Sequence, residues 1–191
     1  LNENSIPARQ TILLTKMTAT RFFIELKNAL PASTVADRKA WAAKIIAADI
    51  PLKNLFILLQ GSQPVARRFS WLLTEIGEAD PNRLFQQLPY LLELSDQIHQ
   101  FDFRASFATY WRVAGIPPEN EAQAIDWLFG WIYSAKTNVT TKSRALFVLF
   151  DLTKKYPDLK NELKLYLEDH QAKNSEDFRK RAQTILNKLE V

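Results

Sequence analysis

Two histidines, His99 in "DQIHQF" and His170 in "LEDHQA", are the only side chains of this chain that titrate near neutrality in their ordinary state. Metal or acid–base chemistry would need further ligands beside them at suitable spacing, and neither lies in an HExxH pattern or a carboxylate-rich loop. Both read as solvated helix positions. Nucleophilic chemistry fares no better. "QGSQP" is not the G-x-S-x-G elbow of a serine hydrolase, and Cys is absent, which also removes thiolate metal sites and disulfides. No G-x-G-x-x-G or G-x-x-x-x-G-K-[ST] run occurs, and four Gly leave little material for a phosphate-cradling loop. Adjacent acids such as Glu168 and Asp169 mark a solvated helix end. The expectation is a chain without catalytic residues, metal or cofactor.

Binding chemistry is better represented. In "AIDWLFGWIYSA", Ala124 to Ala135, the residues Ile125, Leu128, Phe129 and Ile132 form one apolar stripe at i, i+3, i+4, i+7, while Trp127 and Trp131 fall near the opposite face. Aromatic side chains with a polar edge, set close to Arg, are common anchors of protein interfaces. Tyr90 and Leu94 in "LPYLLEL" and Arg83 in "DPNRLF" extend the set.

Helices must position these residues. The chain has 191 residues, 47% of them hydrophobic, which suffices for one substantial core or a short repeat array. Twelve Phe and five Trp stand against four Gly, and apolar residues recur at helical spacing almost throughout, so an all-α fold is expected. No run approaches the roughly 20 apolar residues of a membrane span, and the start "LNENSIPARQTILLTKM" lacks the pattern of a signal peptide. These features, with the absence of Cys, predict a cytoplasmic protein. Charge is uneven: residues 1–50 carry seven Lys/Arg against four Asp/Glu, residues 51–135 six against nine, and residues 136–191 twelve against eight.

A repeat organises the chain. "DRKAWAAKII", "ARRFSWLLTEIG", "FRASFATYWRVAG" and "SRALFVLFDL" each open a helix, and each is followed by a break and a second helix: "PLKNLFILLQ", "DPNRLFQQLPYLLEL", "PPENEAQAIDWLFGWI" and "YPDLKNELKLYLEDH". Trp41, Trp71, Phe107 and Phe147 hold comparable places in the first helices, at separations of 30, 36 and 40 residues, a period that belongs to helical-hairpin repeats. A last helix, "SEDFRKRAQTILNKL", starts at a Ser175 N-cap, and Arg179, Lys180, Gln183 and Asn187 provide the polar outer face that an array end requires. At the other end "MTATRFFIELKNAL" predicts a helix with Phe22, Leu26 and Ala29 or Leu30 on one face and Thr18 or Thr20 as its cap. Residues 1–16 have no counterpart in any repeat and read as an extension or tail, with a single domain over 17–191.

"PVARRFSWLLTEIGEADPNRLFQQLPYLLEL" resembles a HEAT repeat: Pro64 enters the first helix, Arg stands near its start, Gly77 and Pro81 fall at the turn, and a Leu-rich second helix follows. The resemblance extends over roughly residues 36 to 190. It implies a right-handed α-α superhelix, a HEAT/armadillo-like solenoid of about four hairpins plus a capping helix. The run "TTKSRALFVLFDLTKKYPDLKNELKLYLEDH" with "FRKRAQTILNKL" is similar to a group of short bacterial HEAT-like proteins of unassigned role, some labelled adenylosuccinate lyase. The catalytic histidines and the serine loop of that enzyme have no match here; Met17, the one methionine, precedes Thr18.

In such a stack the second helices line the concave surface. Taking Leu55, Leu88, Ile125 and Leu163 as core references, the residues two positions later are Ile57, Tyr90, Trp127 and Leu165, about 200° from the core direction. Gly61, Leu94, Trp131 and Asp169 follow at about 240° and flank this ladder. An apolar residue off the main stripe also fills seams between repeats; Ile57 and Leu165 are assigned to the seam, Trp127 and Tyr90 to a partly wet surface. Arg67, Arg68, Arg104 and Arg144 of the first helices are assigned to bridges between repeats, with Glu75, Asp102 and Asp151 available as partners; the alternative is a basic strip.

The functional expectation is a noncatalytic protein-interaction module whose scaffold surface of Trp127, Trp131, Tyr90, Leu94 and Arg83 captures a partner segment. The alternative is DNA binding. The chain is similar in fold class, basic charge and Trp content to the DNA alkylation-repair glycosylases, and "IDWLF" sets Asp126 beside Trp127. Against it, the central repeats are acidic where phosphates would require Lys and Arg. A role as accessory to a metabolic lyase is the lower alternative.

Overall fold

Local chemistry marks the helix starts. Thr34 and Asp37 form a reciprocal capping box, Thr34 Oγ1 accepting from the Asp37 amide at 3.2 Å and the Asp37 carboxylate from the Thr34 amide at 2.9 Å. Asp80 accepts from the Arg83 amide at 3.1 Å and Asn138 from the Thr141 amide at 2.9 Å. Ser175 Oγ accepts from the Phe178 amide at 3.4 Å, the cap expected for the last helix. Gly115, at φ 92°, ends a helix in a conformation that side chains rarely adopt.

The computed structural model describes residues 8–95, 97–99, 101–170 and 175–189, and among them all regular structure is helical. The α-helices are α1 (Ala8–Ala29), α2 (Val35–Ala47), α3 (Gln63–Ala79), α4 (Pro81–Phe85), α5 (Leu88–Ser95), α6 (Arg104–Ala114), α7 (Glu121–Tyr133), α8 (Val139–Thr153), α9 (Leu159–His170) and α10 (Glu176–Leu189). Short 3-10 turns, Leu30–Ala32 and Pro118–Asn120, precede α2 and α7, and a longer 3-10 helix, Leu52–Gln60, stands where the first repeat's second helix was expected. None of the described helices is long and apolar enough to cross a membrane.

The helices form a row. α2 packs on α3, α3 on α6, α6 on α8 and α8 on α10; the second elements sit against this row, Leu52–Gln60 on α3, α4 on α3 and α6, α7 on α8, and α9 on α8 and α10. Close backbone approach therefore joins second elements to the first helix that follows them. The core runs the length of the row, with Phe69, Phe107, Tyr110, Tyr166 and Phe178 its largest fully enclosed side chains. On α10, Arg179, Lys180, Gln183 and Asn187 are all exposed while Phe178, Ala182, Ile185 and Leu186 are buried. The polar outer face of that helix is as expected.

Two local expectations are corrected. α1 begins at Ala8 and runs unbroken past Met17, so neither Thr18 nor Thr20 caps it; Leu26 and Leu30 are buried on the face predicted for them. Gly77 lies inside α3, not at the turn. A Cβ there would come 2.5 Å from Leu84 Cδ2 and 3.2 Å from Val113 Cγ1, so glycine serves the close approach of α4 and α6. Pro81 does open α4.

Buried tyrosines tie neighbouring elements. Tyr110 Oη donates to the Ser70 carbonyl at 2.7 Å and Tyr166 Oη to the Ile132 carbonyl at 2.8 Å. Burial pushes both phenols up, Tyr166 to about 12 with the charge of Tyr133 adding to the effect. Tyr110→Phe removes one enclosed hydrogen bond between α6 and α3 without opening a cavity. The expected loss is about 1 kcal/mol, read as a lower urea midpoint at unchanged slope; an unchanged midpoint would show that this bond adds no stability.

Candidate partner-binding surface

The four ladder positions occupy successive second elements. Ile57 is 58% exposed, Tyr90 42% and Leu165 63%, and Trp127 is half-buried against the core. The seam assignment of Ile57 and Leu165 is overturned. In the 3-10 segment Leu55, Phe56, Leu58 and Leu59 take the core contacts, and on α9 Leu163, Tyr166 and Leu167 do so, leaving these two outside. Tyr90 is held in place from the side: its ring stacks on Phe56 at 5.7 Å and carries Lys53 Nζ at 5.4 Å.

The two tryptophans of α7 divide their roles. Trp131 stacks on Trp111 of α6 at 5.8 Å and 12°, and Trp127 lies 6.1 Å from Trp131. With Ser95, Ile98, Phe101 and Asp102 they border a cleft of about 390 Å³ between the α5–α6 connection and α7. Ile125 is only partly buried, but Leu128, Phe129 and Ile132 complete the stripe expected on the other face.

Arg83 and Leu94 stand elsewhere. Leu94 is 7% exposed and belongs to the core, because the buried arc of α5, set by Leu88, Leu91, Leu92 and Leu94, reaches about 160° around the helix. Arg83 gives Nη1 and Nη2 to Asp49 at 2.9 and 2.6 Å and Nη2 to the Ile50 carbonyl at 3.4 Å, clamping α4 to the corner where Asp49 adopts φ 48°. The chain breaks between α4 and α5, so the helical phase that put Arg83 beside Tyr90 does not carry across.

Tyr133 is a surface residue the spacing argument missed. It is 49% exposed, packs edge-on against Tyr166 at 5.1 Å, and its phenol is raised by burial and then by the charges of Glu162 and Asp169. Its signal in the sequence was weak: one more aromatic at the end of an aromatic helix. His170 stacks on Tyr166 at 4.4 Å and serves packing there, while His99 is exposed in the α5–α6 connection. Asp126, Glu162 and Asp169 are exposed. The α7–α9 part of the surface is therefore acidic and apolar together.

Of the four first-helix arginines assigned to bridges, Arg104 and Arg144 make them and, among the described residues, Arg67 and Arg68 do not. Arg104 pairs with Asp102 at 2.8 Å and reaches Thr137 Oγ1 at 3.0 Å; Arg144 donates to the Ala105 carbonyl at 2.9 Å and to Thr109 Oγ1 at 3.0 Å. Arg68 lies over the Trp71 ring at 4.7 Å, and Asp151 pairs with Lys154 instead. Among the described residues no group of three or more His, Asp or Glu is arranged to hold a metal ion. Comparison with protein-family models, with curated proteins and with solved structures finds no match.

Proposed function

We propose that this chain is a HEAT-like α-solenoid that acts, without catalysis of its own, as a protein-interaction module, taking a partner segment along Ile57, Tyr90, Trp127 and Leu165. One observation carries the reading: the same position exposes a large apolar side chain in three of four successive second elements, Ile57, Tyr90 and Leu165, and leaves Trp127 at the core's edge in the fourth. Isolated exposed apolar residues need no explanation, but a line of them does. The Trp127–Trp131 cleft supplies the depth in which an anchor side chain can be desolvated. The exposed acids Asp126, Glu162 and Asp169 favour a partner with basic residues between its apolar ones and disfavour phosphate, which weakens the nucleic-acid alternative.

Partner capture tests the proposal. The wild-type chain and Tyr90→Ala, Trp127→Ala and Leu165→Ala variants are compared for helical content by circular dichroism and for affinity toward the protein they retain. Tyr90→Ala and Trp127→Ala should each weaken binding by about 2 kcal/mol, roughly thirtyfold, with helicity unchanged. Equal retention by all variants would sink the surface. Duplex DNA bound by the wild type with an affinity that collapses between low and moderate salt would instead favour the nucleic-acid reading. A metabolic lyase as the retained protein would support the accessory role.

A further inference from the structure

We infer that the cavity between α3, α6 and the start of α8 is a site for a phosphomonoester, held between the guanidinium groups of Arg67 and Arg144. The cavity measures about 330 Å³ and is bordered by Arg67, Trp71, Asn138, Thr140 and Arg144. It lies on the first-helix side of the fold, sharing Phe101 and Asp102 with the border of the Trp127–Trp131 cleft, and does not depend on the reading of the ladder.

The arginines of the first helices differ in what they have left to give. Arg104 is satisfied by Asp102 and Thr137, and Arg38 donates to the Ser33 carbonyl at 2.9 Å. Arg67 is exposed, and its side chain engages no partner among the described residues, although its carbonyl accepts from Ser70 Oγ at 2.7 Å. Arg144 is half-buried, yet its two acceptors, the Ala105 carbonyl and Thr109 Oγ1, are both neutral. Burial lowers its pKa; the charge of Tyr110 acts against this and that of Arg181 with it. A cation held in this way keeps its field and lacks a counter-ion. Two guanidiniums from separate helices opening on one cavity match the geometry and double charge of a phosphate monoester better than a single carboxylate.

The surroundings fit an anion. The cavity borders the start of α8 at Asn138, which caps that helix, and at Thr140, whose side chain is exposed. Asp102 also borders the cavity, but its oxygens accept from Arg104, from Asn138 at 2.6 Å and from Thr141 at 3.2 Å, so its charge is offset within its own network.

The probe is inorganic phosphate against chloride at matched ionic strength, followed by melting temperature and by the change in Trp fluorescence. Phosphate should stabilise the wild-type chain in a saturable manner. Arg67→Gln, an exposed change, should weaken phosphate binding at least tenfold, and Arg67→Lys should recover part of it. A general stabilisation by phosphate as a salt would be shared by Arg67→Gln, so an equal response in that variant, or an equal response to phosphate and chloride, overturns the site. Adenosine monophosphate and O-phosphoserine then separate a free phosphorylated metabolite from a phosphorylated side chain. The compound that displaces phosphate at the lower concentration identifies the source, and displacement by neither overturns the assignment to monoesters.

Discussion

Phe107→Ala is expected to lower the unfolding free energy by about 4 kcal/mol, the largest effect of any single truncation considered for this chain. Phe107 is 2% exposed and stands at the centre of an aromatic cluster, with ring centroids at 5.5 Å from Phe103, 5.8 Å from Tyr110 and 5.1 Å from Trp111. Its loss removes transfer free energy and edge-to-face contacts, and leaves a cavity that the fully buried Tyr110 cannot fill without breaking its bond to the Ser70 carbonyl. The damage should reach the surface. Trp111 supports Trp131, so the Trp127–Trp131 cleft loses its backing, and the Trp fluorescence should shift at denaturant concentrations below those that unfold the helices. Urea unfolding followed by circular dichroism and by fluorescence checks both points. A loss below about 1 kcal/mol would show that the cluster repacks.

The second large effect is expected at Asp102. Its carboxylate gathers Arg104 Nε at 2.8 Å, Arg104 Nη2 at 2.9 Å, Asn138 Nδ2 at 2.6 Å and Thr141 Oγ1 at 3.2 Å, joining the start of α6 to the cap of α8. Asp102→Ala leaves the Arg104 guanidinium and two neutral donors without their acceptor. A fully buried network of this kind costs 3 kcal/mol or more to break; with the Asp102 side chain 27% exposed, about 2 kcal/mol is expected at neutral pH. Burial pushes the Asp102 carboxyl up, but the hydrogen bonds and charge of Arg104 with the hydroxyl of Thr141 outweigh it and hold the group below its ordinary value. The sign follows. The unfolded chain takes up this proton first, so the contribution is fully present above the unfolded value, about 3.9, and is lost as pH falls through the lower folded value. Wild type and Asp102→Ala should therefore differ by a constant amount from pH 7 to about pH 5 and converge below about pH 4. A difference that persists unchanged to pH 2 would mean that the carboxylate's charge plays no part.

Much of the helical framework was legible in the chain because its signals are local. Ser175 caps α10 through a side chain three residues from the amide it accepts from, and the polar face of Arg179, Lys180, Gln183 and Asn187 follows from 100° per residue alone. The α7 stripe of Leu128, Phe129 and Ile132 is of the same kind. Helical phase also put Ile57, Tyr90, Trp127 and Leu165 on one line, since a shared offset from a core residue is a property of each helix taken singly.

Tertiary packing decided what lies against each face. Phase gives a direction but not a neighbour: Leu94 points away from the main stripe and is buried, while Leu165 points the same way as an expected seam residue and is open to solvent. Trp131 is committed to Trp111, and Arg83 to an aspartate 34 residues earlier, because partners brought together by the packing of separate helices leave no spacing rule in the chain. The same holds for the 3-10 form of Leu52–Gln60 and for the break that separates α4 from α5, where short segments follow the shape of the row they must cover more closely than their own periodicity. Sequence determined which side chains could share a surface; which of them remain free to meet a partner was decided only when the helices closed on one another, because exposure is a property of what packs nearby.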